Sequence, residues 1–378
     1  MKIAHISDLH LGKRLNEFSL LEDQRYILNE IIKIIDDSQV DCVIIAGDVY
    51  DKSIPPVEAV EIFDNFLTCL ARRKLHVLII SGNHDSAERM TFGAKLMSAS
   101  GIHFAPVYKG KTEQVILEDK YGKINFYLLP FVKPSVVRPF FPEEKIETYT
   151  DAIRLIVKNM NVDKSQRNVI VAHQFVTGAE RCESEEICVG GSENVDASVF
   201  DDFDYVALGH IHGSQKILKE TVRYCGSPLK YSFSECDHKK SIPIVEINEK
   251  SNVKIDFAPL VPKLDLREIR GKYDEIMLKK NYENTNTEDY LHITLTDEYD
   301  IPEGFARLSS VFKNLMKLDY DNKRTKSVGE IDSDFENETL SPLELFQKFY
   351  NLQNNQHVND EQNQILTSLI SEIWGGSK

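Results

Sequence analysis

The first part of the chain alternates between short apolar runs and longer segments in which apolar residues recur at helical spacing. The apolar runs predict buried strands and occupy residues 2–7, 41–47, 76–81, 168–173 and 204–210. The segments that predict amphipathic helices lie at 20–38, 56–73 and 143–160. Alternation of this kind is typical of a layered α/β domain whose sheets are covered by helices.

The pattern changes near residue 258, where two further strand-like runs, SIPIVEI and NVKIDFAPL, come to an end. A Pro-containing connection (259–271) follows, then strand-like YLHITLT and helix-like GFARLSSVFKNLM. Ser341, Pro342 and Glu344 later form a capping start for the first of two short amphipathic helices. We therefore predict a first domain over 1–258, a small α/β domain over 262–325, an acidic linker over 326–340 and a helical segment over 341–378.

Composition narrows the classes of protein without excluding a nucleic-acid partner. Of 378 residues, 42% are hydrophobic and 28% charged, as in ordinary globular proteins, and no apolar run approaches the roughly 20 residues that span a bilayer. The six cysteines lack C-x-x-C spacing and the N-terminus lacks the layout of a signal peptide, so we expect a cytoplasmic protein with reduced thiols and no membrane contact. The net charge of −15 argues against DNA binding, but divalent cations would reverse the field at a carboxylate site.

Polar side chains that could bind metal follow each of the five predicted strands. They are Asp8 and His10, Asp48, Asn83 with His84 and Asp85, His173, and His210 with His212. Each could instead cap a turn or be a hydrogen-bonded core histidine, as we expect for His5, His76 and His103. All five predicted strands are followed by potential metal ligands at their carboxyl ends, where α/β sheets form their functional sites. This shared position favours one common site.

The donor set indicates a pair of metal ions. Two Asp, one Asn and four His are too many for one tetrahedral ion, and oxygen and nitrogen without thiolate suit Mn, Fe or Zn. In an extended strand, His210 and His212 would face the same side and could point at one object. Two ions close together can activate water and clamp both oxygens of a displacement at phosphorus, so the sequence favours phosphate ester hydrolysis.

The order D-x-H, G-D-x-x-D, G-N-H-D, H, G-H-x-H resembles the calcineurin-like metallophosphoesterase superfamily. This resemblance implies a β-sandwich flanked by helices, here with a small α/β capping domain and a C-terminal helical tail. It implies one metal on Asp8, His10, Asp48 and His212, and a second on Asp48, Asn83, His173 and His210. It also implies that His84 acts on the phosphate and that Asp51 orients it, while Asp85 has either a loop-stabilising or a catalytic role.

Longer stretches resemble the SbcD family of Mre-type DNA repair nucleases: HISDLHLGK, AGDVYDKSIPP, SGNHDSAERM, LGHIHGSQ and YCGSPLKYSFSE. That resemblance implies a nuclease that uses Mn²⁺, with Mg²⁺, Fe²⁺ or Zn²⁺ as alternatives. It would degrade duplex ends 3′→5′ and cut single strands and hairpins. The implied partners are DNA, a second copy of the chain, and an SbcC-like coiled-coil ATPase within a heterotetramer. The tail helices would dock on that ATPase or, alternatively, pack on the capping domain.

Two rival functions remain open on sequence alone. One is a small-substrate enzyme of the same superfamily, such as a nucleotidase or cyclic phosphodiesterase. The other is a non-catalytic scaffold, which the intact ligand set and His84 disfavour. Cations near the motifs could contact DNA phosphates or be ordinary surface charges: Lys13, Arg14, Lys52, Arg89, Lys133, Arg138 and Lys230.

Overall fold

A computed structural model describes residues 1–185, 193–322, 325, 341–354 and 357–374. In chain order the strands of these residues are β1 (Lys2–Ile6), β2 (Arg14–Leu15), β3 (Phe18–Ser19), β4 (Cys42–Ala46), β5 (His76–Ile80), β6 (Ile102–Ala105), β7 (Glu113–Asp119), β8 (Gly122–Leu129), β9 (Arg167–His173), β10 (Tyr205–Gly209), β11 (Gln215–Ile217), β12 (Lys219–Tyr224), β13 (Ser241–Ile247), β14 (Val253–Pro259), β15 (Leu266–Gly271), β16 (Tyr290–Leu295) and β17 (Asn314–Tyr320). The α-helices are α1 (Leu21–Ser38), α2 (Val57–Arg72), α3 (Ala87–Met90), α4 (Ala94–Ser98), α5 (Pro134–Val137), α6 (Tyr149–Asn159), α7 (Tyr273–Ile276), α8 (Lys279–Tyr282), α9 (Gly304–Val311), α10 (Pro342–Asn354) and α11 (Asp360–Trp374). The chain divides into two compact units, Met1–Asp265 and Leu266–Lys378.

The first unit is built on two six-stranded sheets, with strand orders β14-β13-β1-β4-β5-β6 and β11-β12-β10-β9-β8-β7. Strands β1, β4, β5 and β6 run parallel in the first sheet, and β8, β9, β10 and β12 run parallel in the second. Antiparallel strands complete both sheets. The carboxyl ends of β1, β4 and β5 therefore lie at one edge of their sheet, as do those of β9 and β10.

The two sheets pack face to face as a sandwich. One buried cluster combines Ile44 and Leu78 from the first sheet with Val171 and Ala207 from the second. These residues alternate with others that point to the opposite faces, because successive side chains of a strand point to opposite sides. Both faces of the central strands are buried, which explains why these strands read as continuous apolar runs.

Helices cover the outer faces of the sandwich. Helix α6 packs Ile153 and Ile156 against Ile170 and Leu208 of the second sheet. It begins at a capping box formed by Thr148 with Asp151, later than the predicted start at residue 143. Helices α1 and α2 connect the parallel strands of the first sheet, and each buries an apolar stripe. The predicted layered α/β architecture is thus confirmed.

The second unit has its own small core. Strands β15, β16 and β17 form a parallel sheet, with α7 and α8 in the first connection and α9 in the second. Leu291, Ile293 and Leu295 of β16 pack with Leu308 and Phe312 in one cluster. Helices α10 and α11 form a hairpin joined by hydrogen bonds from Gln347 to Asn363 and from Gln362 to Tyr350.

Several elements differ from the predictions. The helix expected over 304–316 ends at Val311, and the strand β17 begins at Asn314. The connection 259–271 contains β15, and the hairpin of β7 and β8 was not predicted. The predicted linker 326–340 and Cys188 lie outside the described residues. None of the helices in the described part combines the length and apolar character needed to cross a bilayer.

Candidate metal centre and active site

The predicted site residues lie at the carboxyl ends of five strands: Asp8 and His10 after β1, Asp48 after β4, Asn83 and His84 after β5, His173 at the end of β9, and His210 and His212 after β10. Four of them have positive φ angles: Asp8 (52°), His10 (43°), Asp48 (50°) and His210 (99°). Non-glycine residues rarely adopt this region because Cβ crowds the backbone. Such strain is typical of functional sites that the surrounding structure holds in place.

The extended-strand geometry expected for His210 and His212 is wrong. Strand β10 ends at Gly209, and His210 has a left-handed backbone. The two rings nevertheless reach one polar cluster and contact different neighbours within it. His210 Nδ1 lies 3.0 Å from Asn83 Oδ1, and His212 Nε2 lies 3.1 Å from His10 Nε2.

The residues predicted for the first metal come together at the end of β1. Asp8, His10 and His212 each offer a ligand atom, and these atoms lie within 4.8 Å of one another. All three side chains are buried. The Asp8 carboxylate accepts hydrogen bonds from the backbone N–H of His210 (3.0 Å) and from the hydroxyl of Ser7, which fixes its orientation.

The residues predicted for the second metal meet beside the first group. Asn83 Oδ1 lies 3.1 Å from His173 Nε2 and 3.0 Å from His210 Nδ1. The carboxylate of Asp48 lies between the groups, with Oδ2 3.3 Å from His173 Nε2 and 3.6 Å from His10 Nε2. The structure thus brings all seven predicted ligands into one cluster in which Asp48 is central.

Burial and mutual charge set the protonation of this cluster. Burial raises the pKa of Asp48, but His173 and His10 outweigh it and hold that pKa well below its usual range. Burial lowers the pKa of His173, yet Asp48 raises it to about 9. Burial dominates for His10 and lowers its pKa well below the ordinary value, so His10 is a neutral imidazole with a free lone pair.

The donor set fits a pair of divalent cations. His10 Nε2 and His212 Nε2 are buried and face each other at 3.1 Å. Two ring nitrogens that converge in this way can both present lone pairs to one cation. His173 Nδ1 lies 2.7 Å from the carbonyl oxygen of Ala46, which can only accept; Nδ1 therefore carries a proton and Nε2 faces Asp48 and Asn83. Converging nitrogen and oxygen donors of this kind are typical of Mn, Fe or Zn sites.

His84 lies at the edge of the cluster. Its backbone N–H donates to Asp48 Oδ1 (2.9 Å), and its ring packs edge-on against the ring of His10 with 4.8 Å between centroids. Its Nδ1 lies 3.0 Å from the backbone carbonyl of Asp51. The Asp51 carboxylate, expected from the resemblance to orient His84, instead forms an ion pair with Lys13 at 2.9 Å.

Asp85 has a clear structural position. Its carboxylate accepts from the backbone N–H groups of Gly82 (2.9 Å), Val49 (3.1 Å) and Tyr50 (2.9 Å). These bonds tie the loop after β4 to the loop after β5. Of the two roles left open by the sequence, the contacts favour loop stabilisation.

A second layer of polar residues surrounds His212, and the sequence did not indicate it. Ser184 Oγ lies 2.8 Å from His212 Nδ1, and Glu235 Oε1 lies 3.3 Å from the same atom. Glu185 accepts from the backbone N–H of His212 (2.6 Å). Ligand atoms of Cys182, His212 and Glu235, one from each, also lie within 4.8 Å of one another, but Ser184 Oγ contacts all three, at 3.1 Å from Cys182 Sγ, 2.8 Å from His212 Nδ1 and 2.6 Å from Glu235 Oε1.

One cation near the site was also missed. Four of the cations considered from the sequence bind protein groups: Lys13, Arg14, Arg138 and Lys230. Arg181 instead stacks on Phe175, with 3.7 Å between its guanidinium carbon and the ring centroid. Its Nε is buried and finds no hydrogen-bond acceptor in the described part of the chain. Burial and then His173 lower the pKa of His210 to about 3, and Arg181 adds to the shift, so its charge lies close to the cluster.

Comparison with known proteins agrees with this geometry. The family model of the calcineurin-like phosphoesterases matches residues 1–214, and the model described as the type 5 capsule protein repressor C-terminal domain, SbcD_C, matches residues 262–354. The SbcD component of the SbcCD nuclease of Staphylococcus epidermidis is 31% identical over 380 residues, covering 99% of each chain. The chain belongs to the SbcD family of calcineurin-like phosphoesterases.

A second member of the SbcD family confirms the extent of the match. The SbcD component of the SbcCD nuclease of Staphylococcus saprophyticus is 33% identical over 392 residues, covering 100% of both chains. Among solved structures, a dimetal phosphatase from Danio rerio shares 12% identity, covering 69% of this chain and 96% of that one with a TM-score of 0.45. The family assignment rests on the sequence matches, which extend beyond the sandwich through the second unit.

Proposed function

We propose that this chain is the nuclease component of a DNA repair complex and hydrolyses phosphodiester bonds with two divalent metal ions. It would act as a 3′→5′ exonuclease on duplex ends and as an endonuclease on single strands and hairpins. The observation that carries this proposal is the buried cluster of predicted ligands with His84 beside it. The full-length similarity to the SbcD components of two SbcCD nucleases supports DNA as the substrate.

The ligand roles follow the two groups of the cluster. One ion would be held by Asp8, His10 and His212. The other would be held by Asn83, His173 and His210, and Asp48 would contribute to both. When bound, such a pair of ions supplies Lewis-acid stabilisation and lowers the pKa of coordinated water. Nitrogen and oxygen donors without thiolate suit Mn²⁺, our first choice, with Mg²⁺, Fe²⁺ and Zn²⁺ as alternatives.

His84 would carry the proton that the leaving oxygen requires. The carbonyl of Asp51 can only accept, so the Nδ1 of His84 carries a proton directed to it. A proton for the leaving oxygen must therefore be a second one: His84 would act as the imidazolium, release the proton on Nε2 to the substrate and be left as the neutral ring. Asp51 contributes through its backbone, and its carboxylate keeps Lys13 beside His10.

Arg181 would bind a phosphate of the DNA backbone. An Nε–H that is buried and has no acceptor among the described residues costs free energy until an acceptor arrives. Phosphate oxygens are strong acceptors for arginine, and Phe175 holds the guanidinium plane in place. A chain with a net charge of −15 needs such local cations, and we propose that a partner protein supplies more.

The partner would be an SbcC-like coiled-coil ATPase, with the complex located in the cytoplasm beside its DNA substrate. In this proposal residues 1–258 form the nuclease domain, 262–325 the cap, 326–340 a linker and 341–378 the docking segment. Support comes from the exposed apolar side chains of α10 and α11, which include Leu345, Phe346, Phe349, Ile365 and Leu369.

We further propose a homodimer formed beside the active site. In α2, Phe63, Phe66, Leu67 and Leu70 are buried in the chain's own core, so they are not available to a partner. Apolar side chains around the start of α2 and around α3 and α4 are exposed and could meet a second copy: Ile54, Val57, Val60, Phe92 and Leu96.

A substrate panel tests the proposed activity. Purified protein with Mn²⁺ is given end-labelled linear duplex, hairpin and single-stranded DNA, and in parallel nucleotides, cyclic nucleotides and p-nitrophenyl esters. We expect EDTA-sensitive cutting of DNA. Hydrolysis of mononucleotides without cutting of DNA, with or without the ATPase partner, would support the small-substrate function instead.

A further inference from the structure

The His212 ring lies between two different environments. Its Nε2 faces the predicted metal ligands and lies 3.1 Å from His10 Nε2. Its Nδ1 faces away from them, toward Ser184 Oγ at 2.8 Å and Glu235 Oε1 at 3.3 Å. Only one tautomer of the neutral ring satisfies these contacts together.

The arrangement follows from counting hydrogen atoms. The single hydroxyl hydrogen of Ser184 is donated to Glu235 Oε1 at 2.6 Å. Ser184 Oγ can then only accept from His212, so the proton of the neutral ring lies on Nδ1. The lone pair of His212 is consequently on Nε2, the atom that faces the cluster.

Buried contacts hold Glu235 in place. It is fully buried and forms an ion pair with Lys240 at 2.6 Å, and its Oε1 accepts from the backbone N–H of Tyr231 at 3.1 Å. Lys240 also donates to the carbonyl of His212 (2.9 Å) and to Ser227 Oγ (2.8 Å), so its position is fixed as well. The carboxylate therefore cannot turn away from Ser184 and His212 without breaking several bonds.

We propose that Glu235 is a positioning residue of the metal centre: through Ser184 it fixes the tautomer and orientation of His212, so that Nε2 is available as a metal ligand. This inference rests on the proposed metal-binding role of His212. Partners of this kind keep ligating histidines in the correct tautomer, and their loss typically weakens metal binding about 10–100-fold.

Two double variants separate positioning from a purely structural role of the Glu235–Lys240 ion pair. E235M/K240M replaces the pair with apolar side chains, a change that is often tolerated in cores, but removes the acceptor. Ser184 can then donate to His212 Nδ1, and the ring proton moves to Nε2. E235Q/K240M removes the same charges but leaves an amide oxygen that can accept from Ser184, the Tyr231 N–H and His212.

The readout is Mn²⁺ binding by isothermal titration calorimetry, with folding checked by circular dichroism and thermal unfolding. For E235M/K240M we expect one of two Mn²⁺ ions to bind about 10–100-fold more weakly than in the wild type, while E235Q/K240M stays close to the wild type. The ¹⁵N shifts of His212 in metal-free protein should show Nδ1–H in the wild type and in E235Q/K240M, and Nε2–H in E235M/K240M.

The results that would contradict the positioning role of Glu235 differ from those that would contradict the proposed nuclease function. Wild-type affinity for both ions in E235M/K240M, or equal losses in both double variants, would overturn the positioning role. If E235M/K240M fails to fold, S184A tests the relay through the serine hydroxyl, and unchanged Mn²⁺ affinity together with an unchanged His212 tautomer in that variant would overturn the proposed relay through Ser184. A wild type that binds two Mn²⁺ ions but cuts no DNA would contradict only the nuclease proposal.

Discussion

Gly209 ends β10 at a point where the two sheets lie close together. A Cβ at this position would overlap the carbonyl oxygen of Ala46 at the end of β4 and would lie 2.7 Å from His173 Nδ1. The same two atoms form the 2.7 Å hydrogen bond that places a proton on His173 Nδ1. Gly209→Ala therefore tests how far the packing of the sandwich determines the geometry of the site.

The cost of this substitution can be worked out from the contacts. To reach an ordinary separation of 3.4 Å, the His173 ring must retreat by about 0.7 Å, and Ala46 by more. Overpacking typically costs about 1–3 kcal/mol, and loss of the hydrogen bond to Ala46 adds roughly 1 kcal/mol. We expect the free energy of unfolding to fall by roughly 2–4 kcal/mol and the ion held by His173 to bind more weakly.

Urea unfolding and Mn²⁺ calorimetry measure both effects. Gly213→Ala is the matched control, because it also flanks a predicted ligand but its added Cβ would meet its nearest neighbour, His238 Cε1, at an acceptable 3.4 Å. We expect this control to change stability and Mn²⁺ binding little. If Gly209→Ala matched the wild type in both measurements, the claim that this close approach fixes His173 would be refuted.

Three other predictions concern ionisable groups outside the set of predicted metal ligands. Asp119→Asn should cost about 3–5 kcal/mol in urea unfolding, because the buried Arg167 loses its carboxylate partner and keeps only backbone carbonyl acceptors such as Asn248 O. Asp36→Asn, which breaks an exposed pair, should cost under about 1 kcal/mol. Burial raises the pKa of Asp119, but Arg167 and the α-amino group outweigh it and hold that pKa below the ordinary 3.8. The wild type should therefore lose this stability as the pH falls below 3.8. The variant Asp119→Asn should lack that part of the acid transition. Burial raises the pKa of the Cys225 thiol, so iodoacetamide at neutral pH should modify the partly exposed Cys69 before Cys225, as peptide mass spectrometry would show.

The positions of the site residues could be predicted because they are local features of the sequence. Each lies at or just after the end of a continuous apolar run, and parallel strands bring such ends to one edge of a sheet. The conformations could not be predicted in the same way. His210 leaves the strand with φ of 99°, and nothing in a run of two histidines indicates that turn.

Contacts between distant segments, and contacts made through backbone atoms, could not be predicted from the sequence. Glu235 and Ser184 reach His212 from segments that are 23 and 28 residues away, and each alone reads as an ordinary polar residue. His84 contacts Asp51 through a carbonyl oxygen, which every residue has. The strand β17 was missed because the apolar residues on both sides of Phe312 keep a helical spacing, which predicts one continuous helix. In the structure the helix α9 ends before Phe312, and the strand begins at Asn314.

The central claim is that the cluster and His84 together make this chain a metal-dependent DNA nuclease. The most direct test compares the wild type and His84→Ala on end-labelled linear and hairpin DNA with Mn²⁺, with the metal content of both proteins measured in parallel. We predict EDTA-sensitive cutting by the wild type, and cutting about 10²–10⁴-fold slower by the variant while both bind two ions per chain. Equal cutting by the two proteins, or a metal-loaded wild type that leaves DNA intact but hydrolyses mononucleotides, would contradict the account.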